Sequence, residues 1–72
     1  MNFFSSHFRG MRVCVFYDCS LGDQVIWIAN VVLDGRARSI DGITTPQSAN
    51  IQAEIALAVA RGLEWVCQSG SG

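Results

Sequence analysis

From Arg12 to Asp18 the run Arg-Val-Cys-Val-Phe-Tyr-Asp is β-branched and aromatic, with apolar side chains at odd and even positions alike. That pattern predicts a strand covered on both faces. Leu21-Gly22-Asp23 supplies turn residues, and Val25 to Leu33 reads as a second strand, again apolar on both faces. Asp34-Gly35 is a two-residue hairpin signal, because both central positions of such a turn need positive φ. The third strand, about Arg36 to Ile43, is more polar. Arg36 and Arg38 share one of its faces, and charges of this kind suit the edge of a sheet. The order predicts an antiparallel meander.

Thr44-Thr45-Pro46 then predicts a helix start: threonine caps well, and proline fits the first helical position, where an N–H has no partner anyway. The helix should run to about Cys67. At about 100° per residue, Ile51, Ile55, Ala58, Val59, Gly62 and Val66 fall on one face and should cover the sheet. Ala53, Ala56, Leu57 and Ala60 leave much of the other side small or apolar, which predicts a neighbour there as well. The fold class is therefore α+β: a three-stranded antiparallel meander followed by one long helix packed on the sheet. Its domain is 11–68. Residues 1–10, with Phe3, Phe4 and Phe8 in no clear period, are an N-terminal extension, either a tail or an extra strand turning at Arg9-Gly10. Residues 69–72 read as a flexible tail or linker.

Composition narrows the picture. The chain has 72 residues, half of them apolar and 15% charged, so it is too hydrophobic for a disordered segment. So small a core is marginal without a metal, a disulfide or a partner. The net charge is −1, and all five basic residues are arginines, without the basic footprint of an autonomous nucleic-acid-binding domain. Cys14, Cys19 and Cys67 are odd in number and irregularly spaced, which argues for reduced, buried thiols in a cytoplasmic, reducing compartment rather than a disulfide framework. No segment reaches the roughly 18 apolar residues of a membrane span, so no membrane partner is expected. Trp27 and Trp65 read as core or interface anchors, Arg36 and Arg38 as a solvated edge, Ser20 as a turn hydroxyl and His7 as solvent-exposed.

Two carboxylates are the candidates for chemistry. Asp18 closes the first predicted strand, and Glu54 lies one turn into the helix at the border of its sheet-facing stripe, with Trp65 on the same border. A helix crossing the sheet could bring them together, and two close carboxylates repel unless a hard divalent cation sits between them. Such pairs serve magnesium-dependent phosphodiester hydrolysis. Taken by residue type alone, Asp18 is equally a turn residue, and Glu54 a complement to the helix dipole.

Val15-Phe16-Tyr17-Asp18-Cys19-Ser20 resembles the opening of the ribonuclease H-like superfamily, in which the aspartate of an Asp-Gly-Ser motif closes the first strand. Asn50-Ile51-Gln52-Ala53-Glu54-Ile55-Ala56-Leu57 resembles its helix motif, and Gly62-Leu63 the pair that follows. The likeness has a plant or retroelement flavour and covers roughly 12–67. It implies the first part of a metal-dependent nuclease that cuts the RNA strand of RNA–DNA hybrids. Asp18 and Glu54 would then be catalytic residues and ligands of Mg2+. The sequence departs from the pattern in three ways. Cys19 replaces a glycine, Gly62-Leu63 falls one residue late, and no third aspartate on a further strand follows Cys67. The expectation is a unit inactive alone, with the Asp18 and Glu54 carboxylates on the order of 5 Å apart.

Two other readings stand beside it: a non-catalytic protein-binding module of the HicB-type antitoxin kind on a partial fold, and a plain dimerisation domain. Without a further strand, Val13 to Tyr17 would be an open sheet edge, which predicts a homo-oligomer or a second chain completing the sheet. The alternative is that Asn2 to Phe8 folds back and covers that strand itself.

Overall fold

The computed structural model describes residues 1–33 and 35–70. The strands are β1 (Asn2–Phe8), β2 (Met11–Leu21), β3 (Gln24–Leu33) and β4 (Arg36–Thr44), followed by helix α1 (Ile51–Gly70). They form one antiparallel sheet in the order β1-β2-β3-β4.

The three-stranded expectation is thus corrected to four. Phe8 pairs with Met11 across Arg9-Gly10, both at positive φ (50° and 79°). Two consecutive positive-φ residues give a tight hairpin the twist its strands need, so the chain folds back at once. β1 then pairs with β2 from Asn2–Tyr17 to Phe8–Met11. It occupies the edge that the three-stranded reading left open, and residues 1–10 belong to the sheet. At the β3–β4 connection, Leu33 pairs with Arg36 and Gly35 has φ 76°. Asp34 itself lies outside the described residues, as do Ser71, Gly72 and the side chain of Ser20. The helix α1 continues through Gly70.

The helix begins at Ile51, not at Thr44-Thr45-Pro46. The Asn50 side chain accepts a hydrogen bond from the Ala53 amide at 3.2 Å, which makes Asn50 the N-cap. From there Ile51, Ile55, Val59 and Leu63 form a ridge with a four-residue step, and Ile55, Val59 and Leu63 are fully buried. They rest on Val13, Val15 and Tyr17 of β2 and Val25, Trp27, Ala29 and Val31 of β3, with Phe8 at the β1 end. Compared with the predicted stripe, the buried face includes Leu63, and its centre is turned by about 50°. Trp65 lies on the far side of that turn and is 69% exposed, so it is no core residue. Cys19 is likewise exposed, and Cys14 and Cys67 half-buried; all three are free thiols.

The two large buried aromatics find partners for their polar tips. Trp27 Nε1 donates to Thr44 Oγ1 at 2.9 Å, and Tyr17 Oη accepts from Gln52 Nε2 at 3.0 Å. Trp27 also sits over Gly42, its cross-strand partner. A Cβ at position 42 would lie 2.6 Å from the indole Cζ2. Glycine there is a packing requirement, since the ring is buried and has nowhere to move. Gly42→Ala should therefore destabilise the fold by about 1–3 kcal/mol, the range of core overpacking. The check is urea unfolding: a lowered midpoint at unchanged slope is expected, and an unchanged midpoint contradicts this packing.

Candidate functional site

The helix covers one face of the sheet only, and strand alternation decides which side chains share that face. Val13, Val15 and Tyr17 point to the helix, so Phe16 and Asp18 point away. Asp18 pairs with Ile26, whose side chain is also on the uncovered face. The strand does not end there. β2 continues to Leu21 through an irregularity in its pairing between Asp18 and Leu21.

Glu54 belongs to the other layer, and its carboxylate is engaged locally. One oxygen accepts from the Gln47 amide at 2.8 Å; the other accepts from the Gln47 amide at 3.0 Å and from the Ser48 amide and hydroxyl, both at 2.8 Å. Ser48 Oγ in turn accepts from the Asn50 amide at 3.3 Å. Glu54 thus ties down the loop that leads into the helix, satisfying backbone donors that the late helix start leaves outside α1. The Gln47 amide first, then the Ser48 hydroxyl and amide, hold its carboxyl below the ordinary value of 4.5.

The expected meeting of Asp18 and Glu54 is therefore corrected: the structure places them on opposite sides of the sheet. The physical reason lies in both elements. Alternation along β2 turns Asp18 outward, and the rotation of the helix toward Leu63 carries Glu54 farther from the sheet. Among the described residues no three His, Cys, Asp or Glu side chains gather where they could hold a metal ion. No helix among them is long and apolar enough to cross a membrane.

The uncovered face is the more distinctive surface. Phe3, Phe16, Ile26, Ile28 and Ile43 are between 37% and 60% exposed and run across all four strands. Phe3 and Phe16 are cross-strand partners with ring centroids 5.1 Å apart. Ile26 faces Ile43, Ile28 faces Asp41, and these four side chains with Gly42 line a shallow depression. Beyond them the face turns polar at Ser5, Cys14, Asn30 and Ser39, where Ser39 Oγ donates to Asn30 Oδ1 at 2.6 Å. Sequence reasoning took the apolar even positions of β2 and β3 as signs of a second covering layer. The same positions are the signal for this exposed patch. His7, Arg36 and Arg38 are exposed as expected, the arginines on the outer strand β4.

Set against known protein families, curated proteins and solved structures, the chain matches none of them.

The Glu54 network has a pH signature. A folded pKa below the unfolded one contributes stability that is fully present above the unfolded value and is lost as pH falls through the folded value. Stability should therefore decline as pH drops below about 4.5, the ordinary value for this carboxyl. Glu54→Gln should flatten that part of the curve and lose stability chiefly at neutral pH. Urea midpoints from pH 7 down into the acid range test this; parallel curves for the two proteins would contradict it.

Proposed function

We propose that this chain is a non-catalytic protein-binding module whose uncovered sheet face takes an apolar surface of a protein partner. The observation that carries the reading is the row of exposed Phe3, Phe16, Ile26, Ile28 and Ile43 on a sheet with a helix on its other side only. Contiguous apolar patches of this kind mark interaction surfaces on small proteins. The exposed aromatic pair offers rigid contact area at little entropic cost, as anchors in protein interfaces do. The absence of lysine and the net charge of −1 favour a protein over a nucleic acid as the occupant. The three free thiols suit a reducing, cytosol-like compartment.

A second reading keeps the nuclease resemblance. Its support is the order β2-β3-β4-α1 together with the motifs around Asp18 and Glu54. It requires Mg2+ held by carboxylates that the fold sets apart, and it would make RNA–DNA hybrid the substrate of a longer assembly.

Two measurements separate the readings. The folded chain should raise the fluorescence of an apolar naphthalene-sulfonate dye at neutral pH, and Phe16→Ser with Ile28→Ser should abolish most of that signal while circular dichroism stays unchanged. A wild-type protein that leaves the dye dark overturns the binding-face reading. Incubation with RNA–DNA hybrid and Mg2+ should give no cleavage. Cleavage that disappears in Asp18→Asn would establish the nuclease instead.

A further inference from the structure

The two edges of the sheet are guarded unequally. The outer strand β4 carries Arg36, Arg38 and Asp41, all exposed, and charged side chains on an edge oppose pairing with another strand. Two arginines and an aspartate along that one edge disfavour the addition of any further strand there. The opposite edge is β1, Asn-Phe-Phe-Ser-Ser-His-Phe, with no Lys, Arg, Asp, Glu or Pro along its seven residues. Its pairing with β2 is continuous from Asn2 to Phe8, so no bulge twists it away. It leaves unpaired N–H and C=O groups on its outer side, in a strand with nothing to repel a copy of itself.

We infer that two copies of this chain pair edge to edge through antiparallel β1 strands, about a two-fold axis perpendicular to the sheet, giving one continuous eight-stranded sheet. The contact is isologous and closes at two copies, because the arginines of β4 block growth at the outer edges. Both helices then lie on one side, and both uncovered faces on the other.

This geometry bears on the binding-module reading, on which its functional meaning rests. Four strands spaced by about 4.8 Å, each about 30 Å long, give one copy an uncovered face of roughly 600 Å². Stable protein interfaces typically take about 600–1,000 Å² from each partner. One copy offers the low end of that range, and two joined through β1 roughly double it. Phe3, next to the edge, is 53% exposed, so the aromatic end of each patch would sit beside the junction.

Sedimentation velocity on the full chain, from low micromolar to sub-millimolar concentration, tests the pairing. The wild type should shift reversibly from monomer to dimer. Ser5→Lys places a charge on the exposed β1 edge and should leave a folded monomer throughout, whereas Ile28→Ser, on the uncovered face, should dimerise as the wild type does. Should Ser5→Lys not fold, hydrogen exchange on the wild type decides. Amides of β1 that point away from β2 should gain protection with rising concentration, and no such gain overturns the inference. A wild type that stays monomeric at the highest concentration also overturns it, as does assembly beyond two copies. A dimer lost in Ile28→Ser but kept in Ser5→Lys would mean that the copies stack face to face. Dye binding to the uncovered face is read at monomer concentration, so that result stands or falls separately.

Discussion

The ridge of Ile55, Val59 and Leu63 seated on Val13, Val15, Ala29 and Val31 is the contact on which everything else in this chain depends. One helix can cover only one face of a sheet, and strands alternate their side chains with period two. Once the odd positions of β2 and β3 are committed to the helix, the even positions have no choice. Phe16, Asp18, Ile26 and Ile28 go to the other side together. A register slip of one residue would exchange the two sets completely, so burial of the odd set also fixes the pairing.

The same constraint explains why the carboxylates part. Asp18 is an even residue and leaves with the uncovered set. Glu54 stays with the helix, but the four-residue step of the buried ridge turns it off the sheet, toward the Gln47-Ser48 loop. There it replaces the capping that Thr44-Thr45-Pro46 was expected to provide. The loop from Thr45 to Asn50 is thus held by its Gln47 and Ser48 donors meeting one carboxylate, while its Asn50 side chain accepts from the Ala53 amide of the helix. Arg9 does comparable work at the other end of the helix, donating to Glu64 at 2.7 Å from the turn between β1 and β2. That pair is exposed and contributes little energy, but it joins the first hairpin to the last helix.

Much of this was legible in the residues. The three later strands, the turn at Gly35 and the long helix were marked by β-branched runs, turn residues and a helical stripe. The Arg9-Gly10 turn and the strand before it were visible only as an alternative to a tail, because Phe3, Phe4, Ser5 and Ser6 lack the alternation that marks a half-buried strand. Edge strands pack against one neighbour and feel little demand for a pattern. The coverage of the sheet was misread for a different reason. Apolar residues on both faces of a strand do not show that one chain supplies both covers, and here one face is left exposed. The helix register was misread because a wheel centred between Gly62 and Ile55 fits the apolar residues nearly as well as one centred on Val59.

That last difference has the larger consequence. Gly62-Leu63 stands one residue later than the spacing of the ribonuclease H-like motif, and one residue on a helix is about 100° of rotation. With Leu63 buried at this position, Glu54 faces away from the sheet. Nine positions separate Glu54 from Leu63, which sets the two side chains about 180° apart on the helix. Burial of Leu63 is therefore what turns Glu54 off the sheet and onto the Gln47-Ser48 loop, where its carboxylate gathers the donors that the late helix start leaves outside α1.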